Sequence, residues 1–302
     1  MMTALLVAGT RPLGAQELEP GAYTAVPVGV NFVSILTTIS RGDIAFDPSA
    51  PISDASSTIS TTALSLGRSL KIGDRLANVG IVMPYVIGNV EGKVLGIPET
   101  VQRSGPADFR LRAAMNLYGA PPMSMREFAA YRQGTIVGIS LTLGAPLGQY
   151  ASRKLINIGS NRWALKPELG LSRARGRWRL ETYGGVWFFT ANNDFFGRHV
   201  KQQRPITTLQ FHLTYSIRRG MWVAGNTNFY AGGRTILDGT ANSDLQRNSR
   251  VGATWLFPAG GGRAVRLAVS RGAYTTVGAN FTSVSTVFQY VWGGKAGSKP
   301  RP

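Results

Sequence analysis

The sequence has no cysteine and only two histidines among its 302 residues. The absence of cysteine excludes disulfides, thiolate metal sites and cysteine nucleophiles. Two histidines without nearby carboxylates also argue against a zinc site. We therefore expect no metal and no cofactor.

The sequence also has little charge and no long apolar run. Charged residues make up 16% of the chain, well below the ~25% that is typical of a soluble globular domain. No segment offers the ~18 or more consecutive apolar residues that a membrane-spanning helix needs. Glycine is abundant, with 37 residues, and this favours strands, turns and bends over long helices.

Acidic residues are scarce, since 15 Asp and Glu face 33 Lys and Arg and leave a formal net charge of +18. The basic residues are scattered rather than gathered in a run, a helix face or an aromatic-interleaved motif, so we expect no nucleic-acid partner. Anionic lipid headgroups, lipopolysaccharide phosphates and anionic solutes fit this charge better.

The first residues resemble the end of a secretory signal. An apolar run, Ala4–Ala8, is followed by the small residues Gly14 and Ala15, as before a cleavage site. A basic leading region is missing, so we expect the natural start upstream; an unstructured terminus is the alternative. We divide the chain into a signal remnant (1–16), a barrel (17–292) and a basic tail (293–302).

Apolar and charged side chains alternate in the stretch GRWRLETYGGVWFF. Trp178, Leu180 and Val186 fall on one parity, whereas Arg179 and Glu181 fall on the other. Successive side chains of a strand point to opposite faces, so this strand has one apolar face and one charged face.

The same alternation recurs along the chain and predicts about twelve strands. The predicted strands cover residues 28–39, 58–70, 76–88, 108–119, 135–146, 162–173, 177–190, 206–218, 221–231, 248–258, 263–272 and 280–292. The alternation of apolar and polar side chains is least regular in the first two segments.

The connections alternate between short and long, as in outer-membrane barrels with short periplasmic turns and long extracellular loops. Short connections lie at residues 71–74, 173–176, 218–220 and 259–262, and long ones at 40–57, 89–107, 147–161, 191–205 and 232–247. The connection 120–133 falls where the alternation calls for a short connection, but it is longer, and it could hold a short amphipathic helix.

The aromatic residues predict which face points outward. Apolar-face aromatics such as Trp163, Trp178 and Trp292 lie toward segment ends, as in the girdles of membrane barrels. We predict an all-β fold, a transmembrane antiparallel up-and-down β-barrel with its apolar face in lipid and its charged face in the lumen. The alternative is a soluble all-β protein with the apolar faces inside.

Nine side chains of lumen parity are the candidate pore-lining residues: Arg110, Arg112, Lys166, Glu168, Arg179, Glu181, His212, Arg250 and Arg266. They could form a basic lining, because rings of Arg and Lys favour anions in pores. They could also form an internal salt-bridge network that fills a narrow barrel, with Lys166 or Arg179 paired to Glu168 or Glu181. The sequence leaves both possibilities open.

Two further features invite a chemical interpretation. His212 could belong to a lipid hydrolase, but its lumen parity favours a hydrogen-bonded lumen histidine, and we expect no catalytic residues. The loop NNDFFGR (192–198) carries two aromatics that we expect to be exposed. They could contact a hydrophobic ligand or fold into the lumen as a constriction.

From residue 134 onward the sequence resembles a known family. The segments GQYASRKLINIGSNRWALKPELGLS, GRWRLETYGGVWFFTANNDFFG, QRPITTLQFHLTYSIRRGMWVAGNTNFYAGGRTILDG and QRNSRVGATWLFP are similar to outer-membrane transporters of the meta-pathway of phenol degradation. The resemblance implies a β-barrel that takes up aromatic or hydrophobic compounds, and it supplies no catalytic or ligand residues. The chain departs from the family at Arg204, where an acidic residue is common, and in the residues after Trp292.

We therefore predict a channel or transporter in the outer membrane of a Gram-negative bacterium. It would pass aromatic or other hydrophobic or anionic small molecules through a basic lumen, gated by the long outer loops or by residues 120–133. The alternatives are an outer-membrane enzyme acting on lipid and a sealed structural barrel. The expected partners are outer-membrane lipid and lipopolysaccharide, a small-molecule solute and the barrel-assembly machinery.

Overall fold

The computed structural model describes residues 19–45, 52–94 and 96–294. The predicted signal remnant and most of the predicted tail lie outside these residues. The strands are β1 (Val30–Ala45), β2 (Ile52–Ile72), β3 (Arg75–Val94), β4 (Ile97–Pro106), β5 (Phe109–Tyr118), β6 (Thr135–Ala145), β7 (Ala164–Arg175), β8 (Trp178–Phe189), β9 (Asn192–Phe195), β10 (His199–Gln203), β11 (Ile206–Arg218), β12 (Met221–Gly232), β13 (Thr235–Leu237), β14 (Thr240–Ala241), β15 (Gln246–Gly260), β16 (Arg263–Tyr274) and β17 (Gly278–Gly293).

Twelve antiparallel strands close into a barrel, which confirms the predicted fold. The last strand, β17, pairs with β1 from Val30↔Gly293 to Ala45↔Gly278, so the barrel sheet has no free edge. Strands β4 and β5 both pair with β3 and are successive parts of one barrel strand. Strands β9, β10, β13 and β14 form a separate small sheet.

The two ends of the barrel differ. Short turns join β2 to β3, β7 to β8, β11 to β12 and β15 to β16 at one end, which we call the tight-turn end. Gly176 and Gly220, with φ of 60° and 74°, supply the left-handed backbone that tight hairpins require. The opposite end, the loop end, carries the longer connections and the small sheet.

A short helix, α1 (Met125–Ala130), lies in the connection between β5 and β6 at the tight-turn end, as predicted. Ser124 and Glu127 form a capping box at its first turn, which satisfies the free amides there. Within the described ranges, no helix is both long and apolar enough to cross a membrane.

The apolar side chains of the barrel point outward. Leu180 and Leu213 are 55% and 48% exposed, whereas their chain neighbours Glu181 and His212 are buried. A barrel wall with leucine on its outer surface and glutamate in its interior is typical of a barrel that is surrounded by lipid and has a polar lumen. The predicted orientation is confirmed, and the soluble alternative is wrong.

Aromatic side chains gather on the outer surface near the tight-turn end. The rings of Trp178 and Tyr215 lie 4.8 Å apart, and Tyr290 stacks on Trp292 at 5.4 Å. Near the loop end, Trp163 is 48% exposed. Amphipathic rings favour the two membrane interfaces, so these positions agree with the predicted girdles.

Two predicted loops prove to be largely strands. Strands β1 to β4 continue through much of residues 40–57 and 89–107. This extension carries exposed polar side chains, and Lys93 forms a 2.8 Å ion pair with Asp54 across it. Because no apolar face is needed there, the alternation that marks a barrel strand is absent.

Candidate functional site

All nine candidate pore-lining residues lie on the inner side of the barrel wall. They are carried by β5 (Arg110 and Arg112), β7 (Lys166 and Glu168), β8 (Arg179 and Glu181), β11 (His212), β15 (Arg250) and β16 (Arg266). The alternation of each strand places them there, because one parity must face away from lipid.

Two carboxylates form the centre of an ionic layer in the lumen. Glu168 lies 3.0 Å from Lys166 Nζ through Oε2 and 3.8 Å from Arg112 Nη2 through Oε1. Glu181 Oε2 lies 3.1 Å from Arg179 Nε. Buried charges need such partners. The internal salt-bridge network, one of the two possibilities left open by the sequence, is therefore present for these five residues.

The N-terminal segment, residues 19–29, runs inside the barrel. The amide of Gly21 donates to Glu181 Oε2 at 3.0 Å, and the amide of Ala22 donates to the hydroxyl of Tyr183 at 3.2 Å. The side-chain amide of Asn116 donates to the backbone oxygen of Tyr23 at 3.2 Å. The sequence did not reveal this arrangement, because no periodicity or motif marks the segment.

Tyr23 anchors the segment to the barrel wall. A Cβ added to Gly138 or Gly170 would lie 2.3 Å or 2.1 Å from the Tyr23 ring. These two glycines are paired across β6 and β7, so they form a flat place in the wall on which the ring lies. The Tyr23 hydroxyl donates to Glu168 Oε1 at 3.0 Å, within the ionic layer.

The tight-turn end of the lumen is closed by the N-terminal segment together with the connection that contains α1. The amide of Val28 donates to the backbone oxygen of Met123 at 2.8 Å. Tyr23, Met123 and Ile136 belong to one buried apolar cluster, against which Phe128 of α1 also packs. The barrel therefore has a packed plug at this end rather than an open mouth.

A cavity of about 490 Å³ occupies the lumen on the loop-end side of the plug. Leu36, Ile59 and Val82, from the first three strands, belong to one mostly apolar wall, which also carries a few Ser and Thr hydroxyls. Arg110 on β5 and Arg266 on β16 line the cavity on either side of that wall. The volume lies within the range of about 300–1,000 Å³ that is usual for small-molecule sites.

Glu19, the first described residue, lines the same cavity. Its carboxylate is attracted by Arg110, Arg112 and Arg266. The N-terminal segment thus adds a negative charge to a basic lumen. Arg250, a further lining residue, is fixed to the wall through a 3.0 Å hydrogen bond from Nη2 to the backbone oxygen of Phe281.

Loop residues line the cavity at the loop end. Asp108 accepts hydrogen bonds from the amides of Gly148 at 3.0 Å and Ser160 at 2.9 Å. Residues 156–160, in the connection between β6 and β7, line the cavity. Arg162, which also lines it, donates to Gln203. Because burial disfavours the charged form, the pKa of Arg162 is lowered to about 10.

His212 faces the lumen and is part of a hydrogen-bond chain. Its Nδ1 lies 2.8 Å from Asn226 Oδ1, and the Asn226 side-chain amide donates to Thr254 at 2.9 Å. The ring lies 5.1 Å from that of Tyr183. The predicted hydrogen-bonded lumen histidine is confirmed, and the hydrolase interpretation gains no support from this placement.

In the small sheet at the loop end, one predicted exposed aromatic is buried. Phe195 of the NNDFFGR loop is 3% exposed rather than exposed, and the Lys201 ammonium lies 4.5 Å from its ring centroid. His199 is paired with the Asp238 carboxylate, which also accepts from the amide of Val200 at 2.8 Å. In the part of the chain that the structure describes, no group of three or more candidate ligands could hold a metal ion.

Residues 51–269 match the model of the family described as “Putative MetA-pathway of phenol degradation”. The match covers well over half of the chain. The chain belongs to this family. The resemblance drawn from the sequence segments is confirmed.

Solved structures of similar fold agree with this membership. The COG4313 outer membrane channel from Pseudomonas putida F1 has a TM-score of 0.77 and 20% identity, covering 91% of this chain and 100% of that one. The β domain of the Bordetella autotransporter BrkA reaches 0.50 with 13% identity, covering 88% and 100%. The transport unit of AIDA-I from Escherichia coli reaches 0.50 with 9% identity, covering 96% and 95%. Comparison with curated protein sequences gave no match.

Family, fold and an apolar outer wall together confirm the predicted outer-membrane location. The tight-turn end then faces the periplasm, and the loop end faces the outside. Two of the similar structures are named as an outer membrane channel and as the transport unit of an autotransporter. The contribution of the nine lumen residues to solute passage stays a prediction.

Proposed function

We propose that this family member is an outer-membrane channel for small aromatic or other amphiphilic anions, which enter from the loop end. The observation that carries the proposal is the cavity, where Arg110 and Arg266 flank an apolar wall. An aromatic ring gains by leaving water for such a wall. A carboxylate or phenolate on that ring forms charge-assisted hydrogen bonds with guanidinium.

One comparison supports this solute class, and another supports the channel. The family is described by a pathway of phenol degradation, and phenols are aromatic molecules with an ionisable oxygen. A structure of similar fold is named as an outer membrane channel. The chain's own residues would act by binding and orienting the solute, with no reaction step.

Passage to the periplasm requires the plug to move. Noncovalent contacts hold the N-terminal segment in the lumen: the hydrogen bonds described above, among them those to Glu181, Glu168 and Met123, and the seat of Tyr23. We infer that this segment is the gate. The outer loops and residues 120–133, which the sequence offered as gates, would then have a supporting role.

The closed tight-turn end also favours a second candidate, a sealed structural barrel without transport. Uptake of benzoate into liposomes that contain the refolded protein separates the two. The channel predicts benzoate uptake above that of protein-free liposomes and a lower uptake in the double variant Arg110→Gln/Arg266→Gln. The exposed loop variant Arg153→Gln/Lys154→Gln is the charge-matched control and should retain uptake.

A folded barrel that passes no benzoate above the protein-free rate would refute the channel and support the sealed barrel. Equal uptake by both double variants would refute the role of the two cavity arginines. Folding is checked for each variant by the gel mobility of unheated samples.

A further inference from the structure

Five arginines lie on two neighbouring hairpins at the tight-turn end, and we call them the arginine cluster: Arg173, Arg175, Arg177, Arg218 and Arg219. The hairpins are adjacent because β8 pairs with β11. Their turns meet where the amide of Ser216 donates to the backbone oxygen of Arg177 at 2.8 Å. All five arginines are exposed.

Within the described residues, no ion pair balances the positive charge of the arginine cluster. The two turns, residues 172–178 and 216–221, contain no acidic residue. Among the ion pairs of the described residues, none involves the cluster, whereas Lys71 in the turn between β2 and β3 has Asp74 at 3.5 Å. Like charges on adjacent turns repel each other, so an external anion would stabilise this surface.

The arginine cluster lies at the height of a membrane interface. Trp178 and Tyr215, the ring pair of the aromatic girdle, are on the same two hairpins. Leu171 and Leu180 begin the outward apolar surface there, with 48% and 55% exposure. Arg173 follows Leu171 on the same outward parity. Lipid phosphates lie just beyond the aromatic girdle, so basic side chains at this level can reach them.

We propose that the arginine cluster binds the phosphates of anionic phospholipids in the periplasm-facing leaflet. Guanidinium groups bind phosphate oxygens through paired, charge-assisted hydrogen bonds. The acyl chains of the bound lipid pack on the apolar surface around Leu171 and Leu180. This site is outside the barrel and independent of solute passage through the lumen.

Native mass spectrometry of the purified barrel in neutral detergent tests the proposal. The wild-type protein should bind dioleoyl phosphatidylglycerol in preference to the zwitterionic phosphatidylcholine with the same chains. The variant Arg175→Gln/Arg177→Gln/Arg218→Gln/Arg219→Gln should bind phosphatidylglycerol at least about tenfold more weakly, since each basic group near anionic lipid contributes roughly a fivefold effect.

The matched control removes the same charge from the loop end, as Arg153→Gln/Lys154→Gln/Arg198→Gln/Arg234→Gln. These four residues are exposed, and their loss should leave phosphatidylglycerol binding unchanged. Equal binding of the two lipids by the wild type, or equal losses in both variants, would overturn the proposal. If the fourfold cluster variant does not fold, Arg218→Gln/Arg219→Gln replaces it with the same direction expected.

A soluble polyanion is the alternative occupant. Inorganic polyphosphate is therefore added in competition with phosphatidylglycerol. The lipid site predicts that polyphosphate displaces little phosphatidylglycerol, because it cannot pack on the apolar surface. Displacement at equal phosphate concentration would overturn the assignment to lipid.

Discussion

The hydroxyl of Tyr23 donates a 3.0 Å hydrogen bond to Oε1 of Glu168, 145 residues further along the chain. Glu168 is also the partner of Lys166 and Arg112 in the ionic layer. The N-terminal segment is therefore fastened to the same carboxylate that balances the charge of the lumen. This hydrogen bond connects the plug to the ionic layer, next to the cavity on the loop-end side.

Replacing Tyr23 by alanine should loosen the plug. The substitution removes the ring from its seat on Gly138 and Gly170 and removes the bond to Glu168. Truncating a buried aromatic costs about 3–5 kcal/mol of local packing. Single-channel conductance in planar bilayers should rise severalfold. Tyr274→Ala, at an exposed outer tyrosine, is the control, and an equal rise there would contradict the prediction.

Gly170→Ala should produce the same opening without a change in the N-terminal segment. The added Cβ would lie 2.1 Å from the Tyr23 ring, so the ring must leave its seat. Gly225→Ala is the matched control, because its Cβ meets nothing within 4 Å. Conductance is expected to rise in the first variant alone. Unchanged conductance in both would show that the seat of Tyr23 does not hold the plug.

Glu181→Gln should destabilise the barrel. The substitution removes the partner of Arg179, 3.1 Å away, and leaves a poorly solvated cation in the lumen. Breaking a buried ion pair from one side costs about 3–5 kcal/mol. Urea unfolding in detergent measures the loss. Arg179→Met/Glu181→Gln should recover part of it, and a double variant as unstable as the sum of both singles would argue against coupling.

The His199–Asp238 pair predicts a pH response at the loop end. Hydrogen bonds from His199 and the Val200 amide lower the pKa of the Asp238 carboxyl below its ordinary value of 3.8. A carboxyl with a lowered pKa stabilises the folded state above its unfolded pKa, and this contribution disappears as the pH falls through the folded pKa. The pair therefore supports the small sheet at neutral pH, and this contribution is lost as the pH falls below 3.8.

Hydrogen exchange at the Val200 amide tests this response. The amide should exchange faster in Asp238→Asn than in the wild type at neutral pH, with the two rates converging in strong acid. Comparing the two proteins at each pH removes the intrinsic pH dependence of exchange. Asp194→Asn, at an exposed position of β9, is the control and should exchange like the wild type.

The barrel was predictable from the sequence because lipid imposes a strict rule on its strands. In β11, Leu209, Phe211 and Leu213 alternate with Gln210 and His212, and only one orientation keeps the apolar side chains in the bilayer. The same rule placed all nine pore-lining candidates on the inner wall. It fails for β4, whose surroundings are polar, so no alternation was there to detect.

The plug and the cavity were not predictable in this way. Tyr23 packs against glycines more than a hundred residues away, and no local pattern in residues 19–29 encodes that contact. Phe195 was expected to be exposed, but it is buried in the small sheet, where β10 pairs with the distant strand β13. Both cases depend on tertiary contacts, which periodicity does not report.

The orientation of β11, with apolar side chains toward lipid and polar ones toward the lumen, can be measured directly. Because the chain has no cysteine, single cysteines at positions 208 to 213 of β11 can carry spin labels without background in liposomes. Accessibility to oxygen, which concentrates in lipid, should alternate, with maxima at Leu209, Phe211 and Leu213. Maxima at Thr208, Gln210 and His212 instead, or no alternation, would contradict the account.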